Sequence, residues 1–475
     1  MKKRGWMVRE MDKAWIVFGC TVAYIIITTV VGMWSIKTTK DTDSFMTAKH
    51  QMGVWVVGIL LMSEFIGPGA TVGTAQGGFE KGMAVAWNSS TLAIGYWLYS
   101  YFLAPKMNAL GEYTISGALS KHYGSKVRML VSVTMAVALT TVNVAAFTGG
   151  AAALGALLHV SIESAIFIIA ICATMNVAFG GIKGVGIANI IHASFKYLGL
   201  CIIAGTAWVI VQDKPVLLDN IPAAHFSLVD GVGFPQLIAW VIANVGAIFS
   251  TQYVLQSISS LPKPEDARKA TIIAGIVIFP IGFISAYIGV LARGIFPDIK
   301  SVMALPAFFD LMNPWLVGIC AAAMIAATFV TILACQLGAT ALIMKDFYIP
   351  LIKPGEKHNI WATRIMAIVI GFLPIPFALF VPGMIKTFFF ARALRTAITI
   401  LVLFMFYAPH MATKTGGMVA LLLSVVGTVG WMVMGNPWGI DNIYIALITP
   451  VVVMVLDYLI RRKVQTGSPE IRTLN

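Results

Sequence analysis

The chain has 475 residues, 59% of them hydrophobic and 11% charged, against roughly 25% charged in soluble domains. With a mean hydropathy of +0.86, a water-soluble globular fold is excluded, and no polar stretch is long enough to build a soluble domain. The net charge of +13 is dispersed over short loops between apolar runs, which excludes a nucleic-acid-binding surface. Cys20, Cys172, Cys201, Cys320 and Cys335 stand singly, with no CxxC pair and no neighbouring His, so neither a zinc site nor a disulfide framework is indicated.

Crossing the hydrocarbon core takes about 20 apolar residues. Thirteen runs meet that length: 14–35, 53–75, 82–104, 128–157, 161–180, 186–211, 234–258, 270–296, 314–344, 361–380, 386–410, 416–435 and 441–460. The first run has no small-residue cleavage site and is read as a retained helix, not a signal peptide. With the N-terminus outside, 20 of the 33 Lys+Arg fall in inner loops and the C-terminal tail, and five in outer loops. The basic N-terminal segment goes against this count, but the rest fits a multi-pass protein of the cytoplasmic membrane, N-terminus outside and C-terminus inside.

The second run is interrupted by Gly67-Pro68-Gly69. Proline removes a backbone donor and the glycines ease unwinding, and in lipid an unwound segment survives only where protein or a cavity surrounds it. Asn244-Val245-Gly246 marks a weaker interruption in the seventh run. The two fall on the first helices of two five-helix units, the pattern of an inverted-repeat secondary transporter with its site near the midplane.

Several segments resemble the sodium:solute symporter family. Thr42-Asp43-Ser44-Phe45-Met46-Thr47-Ala48-Lys49 is similar to its segment after the first helix, and Ser63-Glu64-Phe65-Ile66-Gly67-Pro68-Gly69-Ala70 to its broken-helix motif. Tyr113-Thr114-Ile115 through Val127-Arg128 resembles an inner loop of the family. Phe179-Gly180-Gly181-Ile182 resembles its FGGxxAV turn, Gln252 with Gln256 its QxxxQ segment, and Thr340 through Tyr348 the end of its eighth core helix. The match covers roughly 36–420. It implies an all-α, leucine-transporter-like core of two inverted five-helix repeats, residues 53–211 and 234–410. A leading tail, helix and loop (1–52) and two trailing helices with a tail (416–475) complete one transport domain.

The resemblance also implies a sodium site of backbone carbonyls at Val57 and Leu60 with eighth-core-helix positions Ala327, Val330 and Thr331. Val330 stands where the family has a hydroxyl, and Asn189 stands where it has an acid. Seven residues after Asn189, on the same helical face, comes Lys196, an intramembrane cation that is by default a functional candidate. It is expected to place its ammonium near the vacated sodium site, with Glu64 as carboxylate partner. Structural pairing or snorkelling is the alternative. Coupling to Na⁺, to H⁺ or by exchange stays open.

For the solute, the motif register proposes Ser63, Glu64, Gly67, Asn88, Ser89, Asn244, Ala247 and Ile248. Ala247 and Ile248 occupy positions where sugar carriers of the family have aromatics, which disfavours a sugar. Pro68 and Gly69 are gating candidates, as are Arg392 and Arg395, three residues apart on one face. Trp87 and the Phe388-Phe389-Phe390 run are most simply packing surfaces, and His159 and His192 are either proton relays or hydrogen-bonded structure.

No nucleotide-binding or nucleophile motif occurs. The expected function is secondary active transport of a small polar organic solute, such as a carboxylate or amino acid, by alternating access. No cofactor, enzymatic activity or nucleic-acid partner is expected. The alternative is a transporter-like sensor or channel, disfavoured by the short segment after residue 461.

Overall fold

A computed structural model of the chain describes residues 2–63, 65–158, 160–353, 355–380 and 384–467. The described residues are helical with short connections and contain no strand. The principal helices are α1 (Lys2–Trp34), α2 (Val54–Ser63), α3 (Val72–Lys81), α4 (Ala86–Phe102), α5 (Ser125–Leu158), α6 (Ile162–Asp213), α7 (Phe234–Ser250) and α8 (Gln252–Ser259). They continue as α9 (Pro264–Ile295), α10 (Pro314–Ile343), α11 (Glu356–Phe372), α12 (Pro374–Phe380), α13 (Met384–Tyr407), α14 (Lys414–Val433) and α15 (Asn442–Gly467).

By length and apolarity, eight described helices qualify as membrane spans, or up to ten if each of two bent pairs is one span. The difference from thirteen runs has identifiable sources. At 1.5 Å per residue, the 52 residues of α6 would be about twice as long as a bilayer is thick. The helix is divided at Gly181, whose φ of 55° and ψ of −159° lie in a region open essentially to glycine alone. It therefore contains the fifth and sixth predicted runs. At 17 residues α4 is too short to qualify.

Connections gather at two ends, as successive crossings require. At one end Arg128 Nε donates to Asp346 Oδ1 at 2.7 Å, Gln252 Nε2 donates to the Tyr113 carbonyl at 2.9 Å, and Lys345 pairs with Glu112. Arg364 also donates there to the Thr39 carbonyl at 2.9 Å. Burial, and behind it the Asp346 carboxylate, push the Tyr113 hydroxyl above its ordinary range. At the other end Ser301 Oγ donates to Glu80 Oε1 at 2.5 Å and Asn220 Nδ2 to the Gly294 carbonyl at 3.3 Å.

The core lies between these ends, with α10 at its centre. From Ile325 to Leu342 every α10 side chain is buried, so α10 is enclosed on all sides and is mostly apolar, with Thr328, Thr331, Gln336 and Thr340 as its buried polar residues.

The interruption expected at Gly67-Pro68-Gly69 lies between α2 and α3, where residues 65–71 leave helical geometry and only isolated turn bonds remain, such as Ala70 N–H to the Gly67 carbonyl at 3.0 Å. The interruption expected at Asn244-Val245-Gly246 is not there. Helix α7 runs unbroken to Ser250, and the chain turns by 47° at Thr251. The reason is that nothing at Asn244 forces unwinding: its side-chain amide donates to the Asn88 carbonyl and Thr91 Oγ1 on α4, leaving the helix ladder alone. Gly246 serves close packing instead, since a Cβ there would stand 2.5 Å from Thr396 Oγ1.

Candidate functional site

The unwound segment 65–71 is enclosed by α4, α6 and α10. On the α10 side, a Cβ at Gly67 would stand 2.5 Å from Thr331 Oγ1 and 3.8 Å from the Ala327 carbonyl. The glycine thus lets the break lie directly on the two helical turns where ion ligands are expected. Val330 is fully buried beside them and offers no oxygen from its side chain. Val57 and Leu60 are fully buried within α2, upstream of the break.

On the α6 side, Lys196 is 1% exposed and its Nζ donates to the Ile66 carbonyl at 3.1 Å. Unwinding strips Ile66 of its helical partner, and the ammonium supplies the missing donor. The cation therefore stands in the break itself, above the level of Val57 and Leu60 along the chain. A small cavity of about 10 Å³ adjoins it, lined in part by Thr71, Leu305 and Ala323, enough for about one water. Glu64, the expected partner, lies outside the described residues, as does His159.

A polar file continues along α6. Asn189 Nδ2 approaches the Tyr253 hydroxyl at 3.4 Å. His192, one turn before Lys196 and fully buried, hydrogen-bonds through Nδ1 to the Tyr24 hydroxyl on α1, and its ring stacks on Phe329 at 6.0 Å. Sequence reasoning missed Tyr24, because α1 precedes the repeated core and its motifs carry no signal for that contact.

On the α4 side, Ser89 Oγ donates to the Ala70 carbonyl at 3.4 Å and lies 3.1 Å from Thr74 Oγ1. Asn244 Nδ2 reaches Asn88 at 2.9 Å and Thr91 at 2.7 Å. The Oδ1 atoms of Asn88 and Asn244 are buried and have no hydrogen-bond partner among the described residues. A buried acceptor left unpaired costs about 1–3 kcal/mol, so each of these oxygens can take a donor. Thr91 was also missed, although its spacing of three from Asn88 places it on the same helix face.

The remaining candidates are placed as follows. Ser63 Oγ donates to the Ile59 carbonyl at 2.9 Å and is occupied within its own helix. The Pro68 and Gly69 carbonyls accept from Gly73 N–H and Thr74 Oγ1 within the break. Ala247 and Ile248 are buried on α7, with Ile248 against Gly95 of α4, and Trp87 meets Phe283 edge-on at 5.4 Å.

Arg395 is 2% exposed on α13 and its carbonyl accepts from Ser250 Oγ at 2.6 Å, beside the α7–α8 bend. The Arg392 carbonyl accepts from Thr396. The side chains of Phe388 to Phe390 lie outside the description. All five cysteines are free thiols, and the described residues contain no His/Cys/Asp/Glu group able to hold a metal.

The break, the buried cation and the enclosing polar residues together make up the candidate site. The sequence model of the sodium:solute symporter family matches residues 45–424. This chain belongs to the sodium:solute symporter family.

Relatives within the family include a sodium/glucose cotransporter of Vibrio parahaemolyticus, 25% identical over 73% of this chain and 71% of the relative. A sodium/pantothenate symporter of Escherichia coli (strain K12) is 24% identical over 74% and 75%. Among solved structures, a Na⁺-coupled sialic acid symporter superposes with a TM-score of 0.79 at 16% identity, covering 94% of this chain and 98% of that one. A nucleobase-cation-symport-1 family transporter gives a TM-score of 0.58 at 14% identity, covering 89% and 95%. The chain is therefore a multi-pass membrane protein of leucine-transporter-like fold and a secondary active solute symporter, not an enzyme.

Proposed function

We propose that this symporter moves a small polar organic solute, a carboxylate or an amino acid, and that Lys196 takes over the cation role at the break. The observation that carries this reading is the 3.1 Å bond from Lys196 Nζ to the Ile66 carbonyl. An ammonium fixed in the unwound segment supplies positive charge where the family uses a dissociable ion, and Val330 withholds a hydroxyl ligand from Na⁺. Coupling is then to H⁺, carried on and off Lys196, or the carrier exchanges solutes.

For the solute, the unpaired oxygens of Asn88 and Asn244 are acceptors suited to an ammonium or amide donor. A carboxylate group would meet the unwound backbone and Lys196. Ala247 and Ile248 offer no ring on which a sugar can stack.

In this reading residues 53–211 and 234–410 are the two repeats, rocking about the site. The more basic end, that of Arg128, Lys345 and Arg364, is cytoplasmic in the cell membrane, with the N-terminus outside.

Two measurements test it. Thermal melting of the purified protein against amino acids, monocarboxylates, nucleobases and amines, with and without Na⁺ and at two pH values, should give a hit that follows pH and ignores Na⁺. A hit that requires Na⁺ overturns the fixed-cation reading. Lys196→Ser combined with Val330→Ser should create Na⁺-dependent uptake. Unchanged transport and ion response in that double variant would sink the idea.

A further inference from the structure

A second feature lies away from the transport site, at the end formed by the 36–52 connection. There a cleft of about 470 Å³ opens between the foot of α1 and the start of α11, lined by Ile36, Thr39, Lys40, Asp41, Trp361 and Arg364 among others. Its charge does not balance. The Asp41 carboxylate is already engaged, at 2.7 Å by Lys49 Nζ and at 2.7 Å by the Ser44 backbone N–H. Burial alone would raise its proton affinity, but those bonds outweigh it and hold the carboxyl below its usual range.

Arg364 receives no such compensation. One guanidinium nitrogen donates to the Thr39 carbonyl at 2.9 Å and the plane lies 5.3 Å from the Trp361 ring centroid. Its Nε is buried and has no hydrogen-bond partner among the described residues. Lys40 likewise has neither hydrogen bond nor ion pair among them. Two cations thus line one open cleft, and a planar guanidinium suits a phosphate oxygen.

The surroundings decide between a soluble anion and a lipid. Trp361 is 60% exposed and Ile365 58%, one turn apart on α11, while Trp34 and Val30 are exposed one turn apart on α1. In a membrane protein, exposed apolar stripes of this kind face acyl chains, and a tryptophan beside a basic residue sits at headgroup level. We infer that this cleft binds the phosphate headgroup of an anionic phospholipid, with Arg364 and Lys40 on the phosphate and the acyl chains along α1 and α11. Basic pockets between membrane helices recognise headgroups by these same interactions.

The test uses the full chain in detergent, with dioleoylphosphatidylglycerol, dioleoylphosphatidylcholine or inorganic phosphate added, read by thermal melting and by native mass spectrometry. Phosphatidylglycerol should raise the melting point and stay bound, at least about tenfold more tightly than phosphatidylcholine, weakening as salt rises. Inorganic phosphate should do neither. Arg364→Gln should remove most of the preference. Lys40→Gln, at the cleft mouth, should weaken it several-fold and guards against a misfolded arginine variant. Equal binding of the two lipids, a preference untouched by both variants, or an equal effect of phosphate alone would each overturn the proposal.

Discussion

An ammonium 3.1 Å from the Ile66 carbonyl has two further N–H groups to satisfy inside the membrane. Lys196→Gln keeps a donor for Ile66 while removing that charge. The variant should fold, with a melting point within a few degrees of the parent, and its uptake in proteoliposomes should lose the pH response of the parent. A large fall in melting point with the pH response intact would instead make Lys196 a structural residue.

Asn244→Ala removes one of the two unpaired acceptors and should weaken solute binding about tenfold, the worth of one hydrogen bond to a polar group. Isothermal titration with the best solute checks it. An unchanged affinity would place the solute elsewhere. Lys196 and Asn244 were legible from residue type and register, because a lysine or an asparagine inside an apolar run has few innocent explanations. Thr91 and Tyr24 were not, since hydroxyls on membrane helices usually bond their own backbone and only the packing shows which ones reach across.

Among the helices, the breaks separate what sequence announces from what tertiary packing imposes. Gly67-Pro68-Gly69 removes a donor and two Cβ atoms within three residues, so the interruption follows from local chemistry. The α7–α8 bend has no such signature. Thr251 at the turn has φ −62° and ψ 129°, a conformation any residue adopts, and the bend follows from where Gln252 anchors to Tyr113 and the Ile115 N–H.

Gly181 is the opposite case, because the backbone there demands glycine. A Cβ would also lie 2.8 Å from the Phe45 carbonyl. Gly181→Ala should therefore cost about 1–3 kcal/mol from strain alone, whereas Gly205→Ala, with no heavy atom within 4 Å of its added Cβ, should be neutral or stabilise by up to about 1 kcal/mol. Thermal melting of the two variants side by side gives the comparison.

For the molecule as a whole, the hydropathy runs marked nearly every long helix: two of them meet at Gly181, where α6 is divided, and one spans α2 and α3 with the break between them. Sidedness rests on charge, and the two sets of connections make it measurable. Cysteines introduced at Asp219 and at Lys353 into a cysteine-free background sit at opposite ends. An impermeant thiol reagent on intact cells should label the first and reach the second only after permeabilisation, and the reverse pattern would invert the orientation.

The position of Lys196 also has an electrical meaning. It lies near the middle of the stretch of α6 that follows Gly181, so a proton arriving from either side and bound there has crossed only part of the membrane's electric field. A full crossing is worth about 2.3 kcal/mol per elementary charge at 100 mV. Under the proposed coupling to H⁺, loading and unloading each take a share of the resting potential, and uptake of an electrically neutral solute would register as a current in a voltage clamp.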